Sequence, residues 1–421
     1  MDNPTDINST TNRAVVAIDF GATCSGAAAC FLTDHKTPSN ITTIRKLNFP
    51  TIIFYNQNLE VTHWGSPMAQ RLYWTAWRPQ GEYKVELLKL RSMQCTNTPT
   101  SDRSEISSPP PGKSDIDVMA DYFFKLYESL QTEVQQALGV ELNKEDRIRY
   151  VISLPDDFIQ EAKNAVHEAG IRAFAVDGEK HNLAVIAESE AAAVYATRNS
   201  TQASIGDMLL VVNCGGSHTD SNVLKIEQMN PFPIFNCIER CSDSCGSMTV
   251  NKNLSSIVEA NTNHLKVLKG QGARLIRRTH SLCMEDFEGR IKAEFNNNRR
   301  LWAADVAIEF DLAQAHLKGG SMVFTNEEVR QCFDPVVDRI LRLITNQIQA
   351  ADIQSRRIRN IFLLGGFSAS EWLIQQIIQG VPAQYQPRIV RSADTISAVM
   401  EGSIEICLRD LGTEPFDARH L

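Results

Sequence analysis

The chain has 421 residues, 43% hydrophobic and 22% charged, the balance of a globular protein with sizeable cores and not of a disordered or fibrous one. Its formal net charge of -8 argues against nucleic-acid recognition over a broad basic surface, which works by neutralising phosphates. No apolar run has the length of a membrane span, and the opening MDNPTDINSTTNR lacks the basic start and apolar core of a signal peptide. The expected compartment is therefore the cytosol or nucleus, with no membrane partner and with the ten cysteines as reduced thiols.

Residues 1–12 read as a loose polar tail. Next comes AVVAIDFGATCSGAAACFL, two apolar runs about a small-residue turn at Gly21 to Ser25, the pattern of a hairpin. A Ser, Thr and Pro cluster between Cys95 and Ser114 predicts an exposed loop. Ile116, Met119, Phe123, Leu126, Tyr127 and Leu130 recur at helical spacing from Asp115 to Leu138, with Gly139 at the stop position. Arg149 to Leu154 is a β-type run ending at Pro155. Asp156 to Glu168 has helical spacing closed by Gly170, and a further helix runs from Glu188 to Thr197 with acidic residues at its positive end.

The second half repeats this grammar. Strands are expected at Met208 to Val212 and Asn222 to Ile226, helices over Val250 to Asn297 and Asn326 to Ala350, a strand at Ile358 to Leu364 and a helix after Ser368. The alternation predicts an α/β fold with parallel sheets covered by helices. Two glycine-turn hairpins, roughly two hundred residues apart, predict a duplicated core.

Three junctions carry chemistry. Small residues after Asp19 let backbone N–H groups face a phosphate, and a carboxylate at a strand end suits a divalent cation held through water. LLVVNCGGSHTD brings Asn213, Gly215, Gly216, Ser217, Thr219 and Asp220 to a second such turn. IFLLGGFSASEWL runs a buried strand into Gly365 and Gly366 and then into a helix start with free N–H groups. Each alone is a tight turn; the three in this order are far more specific.

At these residues the chain resembles the actin-like ATPase superfamily and, within it, the seventy-kilodalton heat-shock protein (DnaK-type) family. VAIDFGATCSG is similar to that family's first phosphate motif, VISLPDDFIQEAKNAVHEAGI to the segment ending its first lobe's sheet, and ESEAAAVYA to its connecting helix. VVNCGGSHTD is similar to its second phosphate motif and IFLLGGFSAS to its adenosine motif, while EEVRQCFDPVVDRILRLITNQI resembles a divergent branch common in fungi. The resemblance implies an actin-like ATPase fold of two lobes, each with a ribonuclease-H-like core, and a nucleotide cleft between them. Lobe I would take residues 13–200 with an insertion near 95–114, and lobe II residues 201–394. A C-terminal helix and short tail at 395–421 would return to lobe I, with no peptide-binding domain. ATP or ADP and Mg²⁺ are the implied cofactors, and protein clients or co-chaperones the implied partners beside the nucleotide.

The resemblance also implies roles. Asp19 would stand near Mg²⁺ through water, with Gly21, Ala22, Thr23 and Cys24 at the phosphates. Glu188 would orient the attacking water. Lys89 matches a phosphate-facing lysine or is an exposed lysine of an ordinary helix. Asn213, Gly215, Gly216 and Ser217 would border the phosphates and Asp220 brace that loop. Glu288 and Lys292 frame the base or belong to a solvated helical face, and Gly365, Gly366 and Ser368 would line the adenosine.

Departures fall where hydrolysis would be assisted: Asn213 replaces an aspartate of the family, His218 a threonine, and Ala22 usually a threonine. Losing a charge-assisted hydrogen bond costs about 1.5–3 kcal/mol, which in a transition state slows a reaction about ten- to a hundred-fold. His218 either substitutes as an acid or base or is a hydrogen-bonded structural residue. Nucleotide binding with slow or lost hydrolysis is expected, the alternative being a pseudo-ATPase scaffold without turnover. FNCIERCSDSCGS reads as reduced thiols at a strand end in preference to a metal site.

Overall fold

Two apolar runs flanking a turn of small residues fold back on each other: β1 (Arg13–Asp19) pairs antiparallel with β2 (Cys24–Leu32), bringing Asp19 opposite Gly26. This computed structural model describes residues 13–32, 41–65, 82–86, 89, 108–138, 147–156, 158–174, 183–198, 203–229, 233–267, 272–308, 310–354, 356–391 and 397–411. The expected tail at 1–12, the loop as far as residue 107, Gly139 and the last ten residues lie outside them.

After the hairpin come β3 (Ile41–Pro50), β4 (Ile52–Tyr55), β5 (Val61–Trp64), β6 (Tyr83–Glu86), α1 (Asp115–Leu138), β7 (Arg147–Leu154), α2 (Gln160–Phe174), β8 (Leu183–Ala187) and α3 (Glu188–Arg198). The second half opens on a like hairpin, β9 (Met208–Cys214) and β10 (Thr219–Gln228), followed by β11 (Ile234–Asp243), α4 (Ser247–Thr262) and α5 (Gly272–Asp286). Then come β12 (Leu301–Ile308), β13 (Leu317–Lys318), β14 (Gly320–Thr325), α6 (Asn326–Ile353), β15 (Ile358–Leu364), α7 (Glu371–Gly380), β16 (Ile389–Arg391) and α8 (Ala398–Leu411).

These elements make a mixed α/β protein. One five-stranded sheet has the order β3-β2-β1-β7-β8 and the other the order β11-β10-β9-β15-β16, with two three-stranded sheets beside them. In both large sheets the first three strands are antiparallel and the last three parallel. The expectation of parallel sheets is therefore corrected to mixed ones. Tight turns join only antiparallel neighbours, whereas the longer excursions through α1 and α2 return the chain in parallel.

Central strands are buried on both faces, which is why they read as continuous apolar runs. On one face of β1, Ala14, Val16 and Ile18 pack with Met119, Phe123 and Val166 of α1 and α2. On the other, Val15 and Ala17 meet Met400, Ile404 and Cys407 of α8. In the second sheet Leu210 and Val212 pack with Leu254 of α4 and Ile340 of α6, while Val211 meets Ala191 to Val194 of α3 and Ala398 of α8. Helices α3 and α8 thus lie between the two large sheets and share a core with each.

One further expectation changes. Helix α2 continues through Gly170 to Phe174. A Cβ on Gly170 would lie 2.7 Å from Leu183 Cδ2 and 3.0 Å from Ile152 Cδ1, so this glycine admits close helix–sheet packing instead of ending the helix. Cys237 and Cys241 lie within β11 and buried Cys245 just beyond it, all as free thiols. Among the described residues no helix is long and apolar enough to cross a membrane.

Candidate functional site

Strands β1 and β9 hold the same position in their sheets, so the turns that follow them face each other. Register sets Asp19 beside Ser153 of β7, Asn213 opposite Asp220 of β10, and Leu364 of β15 beside Asn213. The three glycine turns meet at one cavity of about 530 Å³. Its wall takes Asp19 and residues 21–24 from the first turn, Asn213, residues 215–218 and Asp220 from the second, and Gly365 and Gly366 from the third. Lys89, Glu188 at the head of α3, and Glu288 and Lys292 complete the sequence-derived set.

Ser368 is the one candidate that does not reach the cavity. It is fully buried, and its hydroxyl donates to the Gly365 carbonyl at 2.7 Å, so it shapes the turn from behind. The third turn needs its glycine: Gly365 has φ +82°, and a Cβ there would sit 2.4 Å from Asn213 Oδ1.

The first turn is braced by a residue that sequence reasoning missed. Thr51 donates its backbone N–H to the Thr23 carbonyl at 2.7 Å and its hydroxyl to the Gly21 carbonyl at 2.8 Å, and it also meets Ser25 Oγ at 2.8 Å. It comes from the link between β3 and β4, and nothing local in the sequence marks it. Ser153 was missed for the same reason; its hydroxyl lies 3.4 Å from Asp19 Oδ1.

In the second turn the Gly215 N–H donates to the His218 carbonyl at 2.9 Å. The carbonyls of Gly215 and Gly216 accept from Ser247 and Met248 N–H at 3.2 and 2.8 Å, so the head of α4 holds the loop through donors a helix start leaves unused. A Cβ on Gly216 would lie 2.2 Å from Thr23 Oγ1, so the first two turns touch across the cavity and only glycine permits that approach.

Charge is concentrated on the cavity floor. Lys89 Nζ donates to Glu188 Oε1 at 2.5 Å, and Asn213 Nδ2 donates to Glu188 Oε2 at 3.0 Å. Lys89 and Glu188 are each only 6% exposed, so the pair is largely removed from water, and removing one partner would strand the other's charge. The exposed-lysine reading of Lys89 is thereby corrected. Asp19 faces the cavity but is deeply set: burial pushes its carboxyl up from 3.8 to about 7, with Glu188 adding to the rise and Lys89 and Ser153 opposing it.

Glu288 and Lys292 form an ion pair beside the cavity, with Glu288 on a π-helical turn, Phe287–Ile291, and Lys292 immediately after it. Such a turn widens the helix locally and commonly marks a functional surface. Lys292 is 8% exposed, so these two do not form a solvated face. Cys24 is exposed to the cavity, and desolvation by its surroundings lifts its thiol to about 11, Glu288 reinforcing and Lys292 opposing. A thiol held neutral in this way is a poor nucleophile. Ala22 is buried in the wall.

His218 sits between two serines, with Nδ1 2.9 Å from Ser217 Oγ and Nε2 3.2 Å from Ser244 Oγ. Asp220 accepts from Ser242 Oγ at 2.6 Å, which braces the loop toward β11. Sequence reasoning also missed Pro155, Ser247, Ser370 and Val399, which line the cavity from segments whose own patterns report only helix or strand.

A Mg²⁺ held through water would be served by Asp19, whose carboxyl lines the cavity with Ser153 Oγ 3.4 Å from its Oδ1, and not by the other floor side chains. A hard cation needs anionic or carbonyl oxygens turned to it. Both Glu188 oxygens already accept from Lys89 and Asn213, Asp220 is turned to Ser242, and Asn213 is neutral. Among the described residues no three His, Cys, Asp or Glu side chains are grouped to hold a metal ion. The chain matches no protein-family model and no curated protein.

Proposed function

We propose that the protein binds a nucleoside polyphosphate, ATP by class, in the cavity between its two large sheets and hydrolyses it slowly or not at all. The observation that carries this reading is the convergence of three glycine turns, from two sheets of identical strand order, on one cavity of about 530 Å³. That volume suits a nucleotide-sized ligand. Repeated order, paired hairpin turns and two helices between the sheets together support the actin-like ATPase fold with its two lobes, and the heat-shock-type resemblance with it.

In this reading the backbone of the Gly21 to Cys24 and Gly215 to Ser217 turns cradles the phosphates, with Lys89 as the nearby cation. Lys292 and Glu288 border the other part of the ligand, and Gly365 and Gly366 let the backbone approach it. Hydrolysis needs a carboxylate free to orient water. Glu188 instead accepts from an ammonium and an amide, so the geometry favours binding over turnover. The same three-residue chain favours a second reading, a scaffold that holds its nucleotide statically for a partner.

A single-turnover assay with excess protein and labelled ATP tests both steps. Filter-retained ATP recovered unhydrolysed over many minutes is the expected result. Rapid product formation that vanishes in Glu188→Ala would overturn the slow-turnover reading, and no retention at all would overturn the nucleotide reading.

A further inference from the structure

We propose that Ser217 is a phosphoryl acceptor: with His218 as its base, it takes the terminal phosphoryl group of the bound nucleotide, and the protein thereby phosphorylates itself inside its own cavity. The proposal rests on the nucleotide reading and adds to it a reaction in which water takes no part.

Ser217 and His218 both line the cavity, on the second glycine turn. The Ser217 hydroxyl lies 2.9 Å from His218 Nδ1, and the other ring nitrogen, Nε2, lies 3.2 Å from Ser244 Oγ. A hydroxyl, an imidazole within hydrogen-bond reach and a third group that orients the ring make the arrangement by which a serine is activated as a nucleophile. In the tautomer with its proton on Nε2, the imidazole donates to Ser244 and accepts from Ser217 at Nδ1, which sets a base on the Ser217 proton. Ser244 stands just past β11, and the Gly215 and Gly216 carbonyls are held by Ser247 and Met248, so the pair sits on backbone tied from two sides.

An attacking water needs a carboxylate to orient it, and Glu188 is occupied by Lys89 and Asn213. Ser217 needs no such carboxylate. It is fixed by the chain to the turn whose backbone cradles the phosphates, and its base is the next residue, so proximity supplies what orientation by Glu188 does not. In the step, Ser217 Oγ bonds to the terminal phosphorus and the bond from that phosphorus to the bridging oxygen breaks. The nucleoside diphosphate leaves with the electron pair, and the Ser217 proton passes to His218 Nδ1.

The test is overnight incubation of the full chain with MgCl₂ and ATP labelled in its terminal phosphate, followed by filter retention of nucleotide and peptide mass spectrometry of the same sample. The expected result is acid-stable label on Ser217. Ser217→Ala should abolish it, and His218→Gln, which keeps a polar side chain but takes no proton, should slow it by about a hundred-fold or more. The location of the label in the unaltered protein decides the matter whether or not either variant folds. Retained ATP with no labelled protein would overturn the proposal and leave the nucleotide reading intact, whereas ATP neither retained nor consumed would overturn both. Acid-labile label, as on a histidine nitrogen, label that persists in Ser217→Ala, or His218→Gln labelled at the unaltered rate would each overturn the proposal.

Discussion

Asp19 occupies the last position of a buried strand and faces both Glu188 and Lys89 across the cavity floor, so its charge is contested by burial and by two neighbours. Burial dominates, and a folded-state value near 7 against an ordinary 3.8 means that the fold favours the neutral acid. Stability from this group is therefore complete below 3.8 and is lost as pH rises through about 7. Asp19→Asn, neutral at every pH, should raise Tm at pH 8, and the gain should shrink as the melt is repeated toward pH 4; a gain independent of pH would refute the assignment. The identity of such residues was legible in the sequence, since strand ends, glycine pairs and the asparagine at 213 all stand in local pattern. Their partners were not: Lys89 and Glu188 are 99 residues apart, and Ser153 and Asp19 are 134 apart. No periodicity reports a contact of that range.

At the scale of elements, helix starts are the most readable feature. Thr325 caps α6 in a reciprocal box: its hydroxyl accepts from Glu328 N–H at 3.1 Å, and Glu328 Oε2 accepts from Thr325 N–H at 2.7 Å. The spacing Thr-x-x-Glu announces that box within four residues. Thr325→Ala should cost about 1 kcal/mol, read as a lower urea midpoint, and an unchanged midpoint would mean that packing alone holds the start of α6. Less readable were the places where one residue serves two masters. Gly170 has the signature of a helix stop and acts as a packing glycine, because Leu183 and Ile152 come too close for a side chain. The π-turn at Phe287–Ile291 lies within an ordinary helical pattern, since one inserted residue barely alters an apolar repeat.

The whole molecule is tied across its two large sheets at a second point besides the cavity floor. Asp156, just past β7, has a side chain only 9% exposed. It accepts from Ser189 of α3 at 2.7 Å and from Asn222 of β10 at 3.5 Å, and lies 3.7 Å from Arg240 of β11. Removing an acceptor shared by buried donors costs about 1–3 kcal/mol, so Asp156→Ala should lower the urea midpoint accordingly, whereas Asp156→Asn should recover part of the loss. A midpoint unmoved by either change would show that the shared helices, not this cluster, join the sheets.

By itself the sequence determined the parts: the two hairpins, most helix spans, the three glycine turns and the residue types at their tips. Burial period and turn chemistry act over a few neighbours and are written there directly. The tertiary structure alone decided the mixed pairing senses, Thr51 beneath the first turn, Ser368 turned inward, and the Asn213 amide on Glu188. Those depend on which distant segments share one volume, a result of packing that no local stretch of sequence contains.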